Sequence, residues 1–314
     1  MDEAATGSFK PNEHLPNALG TAEYSARNQV ILGTSQQMLV KRLASALEGA
    51  DAVAVIAGRP GIGKTTLVLA AFEAKPDIRL FAHIRSVPRT IGELLRALLP
   101  MAAEGSAELT DAQLITRWRR TVETERSKER PIVVLVENAQ FWCLDALRSL
   151  DALTTRGMDD APDANIVLTG TPALFKTLNQ DPLEPMRERI QLSATVEPMC
   201  SATMQHFLEA RIRRAETHNS VLFNPGTAEL IYAFSGGIPT IAARICDAAV
   251  GMTTSLDEQK VSSKIIGQVA DRMSAGRMHP FVGRLRSNHN RHSDLQGTPP
   301  KNRLLRRLHG STRG

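Results

Sequence analysis

The chain has little of three things that would settle its class at once. Cysteine occurs three times in 314 residues, at Cys143, Cys200 and Cys246. The three are far apart and in no metal-ligand spacing, which excludes a disulfide framework and a thiolate metal site and predicts reduced, mostly buried thiols. Aromatic residues make up only 4%. With alanine and leucine prominent in the apolar set, that favours helices over an all-β sandwich. No stretch approaches the ~20 consecutive apolar residues that span a bilayer. The opening segment, MDEAATGSFK, lacks the basic start and apolar run of a signal peptide, so a cytoplasmic protein without a membrane span is expected.

What is present is material for a sizeable core. Hydrophobic residues are 42% of the chain, enough for one large domain or two modest ones and too many for wholesale disorder. The net charge of +5 is unevenly placed. Residues 276–314 hold nine Lys/Arg against one acid, Asp294, so this tail carries +8 and leaves −3 on the rest. Attraction to an acidic partner such as duplex DNA is therefore expected of the tail.

Residues 1–30 are polar, with Pro11, Pro16 and Gly20 and no sustained period, and read as an N-terminal arm. Ser35 then reads as the N-cap of a helix carrying Met38, Leu39, Leu43, Ala46 and Leu47 and ended by Gly49. DAVAVIA (51–57) is a short continuous apolar run, the pattern of a strand buried on both faces of a parallel sheet. Similar runs recur at 78–84, 132–137 and 165–170. Helical patterns fall between them: LVLAAFEA, IGELLRALLPMAA and the charged stretch 111–128. This alternation predicts an α/β unit with a mainly parallel sheet over 31–195. Beyond Pro198 the strand signals stop. Four helical patterns follow: one on Met204, Phe207, Leu208 and Ile212; one on Thr227, Leu230, Ile231 and Phe234; one opened by Pro239; and one over 257–273. A small all-helical unit is expected over 196–275, then the basic flexible tail 276–314.

Gly58-Arg59-Pro60-Gly61-Ile62-Gly63-Lys64-Thr65-Thr66 fits G-x-x-x-x-G-K-[ST] between a buried strand and a helical pattern, the context a P-loop requires. Glycines let the backbone turn so that its N–H groups face a phosphate, and the following helix adds its positive end. In such a loop Lys64 meets the β- and γ-phosphates and Thr65 ligates Mg²⁺, which makes ATP and Mg²⁺ the expected ligands; Thr66 reads as a helix-start residue. A carboxylate at the end of a buried strand needs a partner, and Glu137, closing PIVVLVE, is the candidate second Mg²⁺ ligand. His83 and Ser86 end the second strand, at the edge where α/β sheets bind ligands, and read either as ligand-facing or as plain loop residues. Trp118 among Arg117, Arg119 and Arg120 is either a nucleic-acid contact or the packed residue of a charged helix face.

GRPGIGKTT, VLVENAQ, IVLTGTPAL, MRERIQLSATVEPM and SGGIPTIAARICDAAV occur in that order. Together they resemble the AAA+ ATPases of the ExeA-like secretion group and the Mu-phage and TnsC-type transposition target-selection ATPases. The resemblance spans about residues 30–273. It implies an α/β ATPase core with a small all-helical lid, ATP bound at their junction beside Pro239 and Thr240, and homo-oligomers, rings or filaments, whose subunits complete one another's sites. Three positions depart from the pattern, two of them with loss of a charged group. Glu137 stands where the family has its metal-binding Asp, and Asn138 where it has the glutamate that activates water; Thr240 stands where it has a lid arginine. An amide cannot accept a proton as a carboxylate does, so slow hydrolysis is expected. A one-residue shift would instead make Glu137 the base and put Val136 at the metal position. Arg187 and Arg189 match the place of a finger arginine that reaches a neighbour's phosphate, and Thr169 or Thr171 that of a γ-phosphate sensor.

The first reading is an oligomeric, nucleotide-switched ATPase that binds duplex DNA through its tail and its oligomer and works with a transposase or other partner in target selection. An ExeA-like ATPase for assembly of secretion machinery, and a nucleotide-binding scaffold with little hydrolysis, are the alternatives.

Overall fold

The computed structural model describes residues 30–49, 51–99, 109–127, 132–155, 164–219 and 221–275. The arm before residue 30 and the basic tail lie outside the described residues.

Five strands form one parallel sheet: β1 (Val53–Gly58), β2 (Arg79–Ile84), β3 (Ile132–Val136), β4 (Asn165–Gly170) and β5 (Ile190–Val196), in the order β2-β3-β4-β1-β5. From β1 the chain passes over β4 and β3 to reach β2 at the edge, so all five carboxyl ends share one side of the molecule. Strands β1, β3 and β4 are buried along their whole length, as continuous apolar runs require. Because strand side chains alternate, each strand feeds two cores. Val134, Val136, Ile166 and Leu168 pack with α3 (Ile91–Leu98), α4 (Asp111–Arg126) and α5 (Leu144–Thr154). Val133, Leu135, Val167 and Ile56 face the opposite way, against α1 (Thr34–Glu48) and α2 (Lys64–Ala74).

Two short helices, α6 (Ala173–Leu178) and α7 (Glu184–Glu188), lead into β5. The second unit holds the four expected helices: α8 (Ser201–Asn219), α9 (Thr227–Ser235), α10 (Pro239–Ser255) and α11 (Ser263–Ala275). They close on their own core around Met204, Leu208, Ile231, Ile245 and Ile266. Ile241 of α10 packs against both this core and that of the sheet, tying the units together.

The structure departs from the sequence expectations at identifiable places. β5 carries the alternation of a half-exposed edge strand, with Leu192 and Val196 buried and Gln191, Ser193 and Thr195 exposed, a signal that a search for continuous apolar runs passes over. The helix of IGELLRALLPMAA stops at Leu98, because Pro100 turns the preceding Leu99 extended (φ −82°, ψ 138°). The N-cap of α1 is Gly33 rather than Ser35; its amide donates to Gln36 Oε1 at 3.0 Å. The lid is not wholly helical: β6 (Leu222–Phe223) and β7 (Lys260–Val261) pair in parallel, and α11 begins after them rather than near residue 257, where Asp257 turns left-handed (φ 54°). Cys143 and Cys200 are exposed, so only Cys246 is the buried thiol expected, and burial pushes its pKa up to about 12. Trp118 is fully buried, stacks edge-on against Phe81 at 5.7 Å and donates Nε1–H to Leu153 O at 2.8 Å; it is core and does not contact nucleic acid. Among the described residues no helix is long and apolar enough to cross a membrane.

Candidate functional site

The loop between β1 and α2 needs its glycines. Gly61 and Gly63 sit at φ +76° and +98°, the left-handed region that side chains resist. A Cβ on Gly61 would also stand 2.9 Å from Thr240 Cβ, whereas one on Gly63 would project into open space within the loop. No side chain caps α2 at Gly63, so its first amides are left for an anion. Lys64 folds back over the loop, donating Nζ to Gly58 O at 3.0 Å and Arg59 O at 3.1 Å. Burial lowers its pKa, and the charge of Glu137 partly restores it.

Glu137 stands beside the loop because β3 ends there; its amide bonds Ile84 O at 2.8 Å, holding the turn against β2. Its Oε1 accepts from Thr65 Oγ1 at 2.8 Å and meets His83 Nε2 at 2.9 Å. The bond to His83, then that to Thr65, hold this carboxyl below its usual range against the opposing effect of burial, so it is ionised at neutral pH. The two oxygens fit Mg²⁺, a hard cation bound through one or two protein oxygens together with substrate phosphates. Among the described residues no three His, Cys, Asp or Glu cluster as a protein-only metal cage.

Asn138 follows in a left-handed conformation (φ 54°) that asparagine tolerates, and its side chain is exposed. Gln140 accepts from the Thr171 amide at 3.1 Å, joining this turn to the end of β4. Thr169 is buried and spends its hydroxyl on Val136 O at 3.3 Å, which removes it as a phosphate sensor; Thr171 is half-buried at the strand end.

The lid touches the loop directly. Thr240, in the first turn of α10, donates Oγ1 to Gly61 O at 2.9 Å and its amide to the same oxygen at 3.3 Å. Pro239 precedes it at a position where a missing N–H costs nothing. Between loop and lid lies a cavity of about 420 Å³. Gly61, Gly63 and Thr66 form its polar floor, Val30, Ile31 and Leu32 one apolar wall, and Met199, Phe207 and Pro239 the other. Thr66 thus lines the cavity as well as starting the helix.

The structure therefore brings residues 58–66, Glu137, Asn138, Pro239 and Thr240 together. It does not bring Arg189. That guanidinium, 8% exposed, pairs at 2.6 Å with both Asp51 and Asp151 and contacts the Thr155 hydroxyl at 3.1 Å. Asp51 precedes β1, so this cluster lies at the amino ends of the strands, opposite the P-loop. Withdrawing Arg189 towards a neighbour would leave two partly buried carboxylates unpaired, so the finger assignment is corrected for this residue. Arg187 is about a third exposed and donates Nη1 to Leu178 O at 3.1 Å. His83 was readable either way in sequence. Its strand register beside Leu135, next to the end of β3, aims it at Glu137.

Comparison with known proteins agrees with this geometry. The family described as AAA domain matches residues 22–178, half of the chain. General secretion pathway protein A of Aeromonas hydrophila is 26% identical over 209 residues, covering 65% of this chain and 37% of that protein. The chain thus spans well under half the length of that relative. Among solved structures, Cdc6p of Pyrobaculum aerophilum aligns with a TM-score of 0.58 at 16% identity, covering 81% of this chain and 71% of the other. The ADP form of the Aeropyrum pernix ORC2 protein aligns with a TM-score of 0.57 at 16% identity, covering 84% and 73%. The family match over half the length, the shared fold and a phosphate-binding loop closed by a helical lid make the chain a member of the AAA+ P-loop ATPases.

Proposed function

We propose that the protein is a slow ATPase working as an oligomeric, nucleotide-switched regulator. The observation that carries this is the Lys64–Thr65–Glu137 arrangement without a carboxylate at position 138. Lys64 would leave its two loop carbonyls to neutralise the β- and γ-phosphates. Thr65 and Glu137 would hold Mg²⁺, which supplies charge neutralisation across the phosphates when bound. Asn138 can orient a water but cannot take its proton, so binding would outlast turnover. Arg187 is the group available to reach a neighbouring subunit's phosphate, which makes hydrolysis depend on assembly.

The finer reading is engagement of duplex DNA, in transposition target selection with a transposase or similar partner. Its support is the +8 of residues 276–314 on a body of −3. A second reading, assembly of secretion machinery, is favoured by the likeness to general secretion pathway protein A. Sedimentation with ATP, with ADP and without nucleotide, each with and without duplex DNA, tests the first. ATP-dependent assembly that DNA enhances is expected; ATP-dependent assembly indifferent to DNA at low salt would turn the case to the secretion reading.

A further inference from the structure

The cavity holds one residue that the sequence motifs do not mark. Arg211, on α8, is the only charged residue lining it among the described residues. Its Nη2 donates to Asp247 Oδ2 on α10 at 2.6 Å, which fixes the guanidinium between two lid helices. The side chain is nonetheless about a third exposed, and a guanidinium has five N–H donors, so donors beyond the one held by Asp247 stay open to an acceptor in the cavity.

Position along the lid says which part of a nucleotide that acceptor belongs to. Thr240 grips the P-loop at Gly61, and Asp247 lies two helical turns further along α10, about 10 Å. Arg211 is thus anchored at the end of the cavity away from Lys64. Around it the walls are apolar, with Phe207 one turn earlier on α8 and Ala243 one turn before Asp247 on α10. Such walls suit a purine ring, whose nitrogens, with the ribose oxygens, are the acceptors within reach there.

We infer that Arg211, held by Asp247, donates to the base–ribose end of the bound nucleotide and is a binding determinant shared equally by ATP and ADP. This rests on the cavity being the nucleotide site. A charged donor to a ligand acceptor is worth about ten- to hundredfold in affinity.

The test is competition binding to the full-length protein with ATP, ADP, adenosine and tripolyphosphate as separate ligands. Arg211→Gln should weaken ATP, ADP and adenosine by the same factor and leave tripolyphosphate unchanged. Lys64→Ala should weaken tripolyphosphate and spare adenosine. Wild-type affinities in Arg211→Gln, or a loss confined to ATP, would overturn the inference. So would equal losses for adenosine and tripolyphosphate, the mark of a merely structural residue. If Arg211→Gln fails to fold, Asp247→Asn removes the anchor at an exposed position. It must then weaken adenosine severalfold without touching tripolyphosphate, and its failure to do so counts against Arg211. Unchanged binding of every ligand to Lys64→Ala would instead condemn the P-loop reading itself.

Discussion

Arg189 offers the sharpest separation of a structural from a catalytic arginine. Arg189→Met keeps much of the side-chain volume and removes the charge between Asp51 and Asp151, whose side chains are 24% and 13% exposed. The hydroxyls nearby cannot replace it, since Thr154 and Thr155 already donate to Leu150 O and Asp151 O at 2.9 and 2.6 Å. Breaking a buried pair from one side costs ~3–5 kcal/mol, and the residual exposure of Asp51 argues for the lower end, about 3 kcal/mol. For a unit of this size that lowers Tm by about 6–12 °C. The effect also has a pH sign. Burial already raises the Asp151 pKa, and Arg189 opposes the rise. Without the arginine the folded-state pKa climbs further above the unfolded value, so the penalty is full at neutral pH and is relieved as pH falls through the raised pKa. Thermal melts at pH 7 and pH 5 should therefore show a smaller deficit at the lower pH. ATP turnover measured where the variant is folded should be unaffected. Lost turnover with an unchanged melting temperature would refute this reasoning and return the finger role to Arg189.

Arg187→Ala should do the reverse, reducing turnover in the assembled protein while leaving Tm and nucleotide affinity as they were, measured by melts and steady-state ATPase assays. Lys64→Ala should abolish ATP binding in calorimetry with the fold intact, because its ammonium donates to two loop carbonyls at the P-loop rather than filling a core position. Asn138→Glu should raise turnover without tightening ATP binding, by up to the roughly 10²–10⁴-fold that general-base catalysis supplies; no gain would favour the shifted assignment in which Glu137 is the base. Deleting residues 276–314 should flatten the salt dependence of duplex binding. If about half of the nine basic residues meet phosphates, the lost slope is roughly −4 to −5 in log–log terms; equal slopes for both proteins would make the tail a solvated segment.

The buried centre of the fold was legible because its apolar runs are short, rich in β-branched residues and alternate with helical patterns. Runs such as IVVLV can only be satisfied with both faces covered, and the P-loop between two such elements fixes which sheet edge binds phosphate. The edge was not legible in the same way. β5 meets solvent on one face, so its apolar signal is diluted to every second residue, and its neighbour Arg189 resembled a motif position while serving the sheet's opposite end. The motif named Thr240 and Glu137, but not the partners they chose. Those depend on cross-strand register for His83 and on lid docking for Gly61, and neither is a property of local sequence. Arg211 escaped for a related reason. An arginine in a charged stretch of helix looks solvated until the facing helix places Asp247 against it.

The contact between Thr240 and Gly61 bears on how such a protein would tell ATP from ADP. A lid arginine at position 240 would report the γ-phosphate by charge. Thr240 instead bonds the carbonyl of a glycine within the loop, a contact available whether two phosphates or three are bound. Arg211, on the inference above, would meet parts common to both nucleotides. Discrimination then falls to the β3 side of the site. There Glu137 is shared between Thr65 and His83, and a third phosphate with its Mg²⁺ would compete for the same oxygens. Any change in that sharing is passed into β2 through the His83 ring and the bond from the Glu137 amide to Ile84 O. If the protein is nucleotide-switched as proposed, the switch element would be the end of β2 and the loop after it, with Arg85 and Arg89 exposed on that loop, rather than the lid. An ATP–ADP difference should therefore appear in amide exchange at residues 83–89 while α10 remains equally protected, and the opposite pattern would place the switch in the lid.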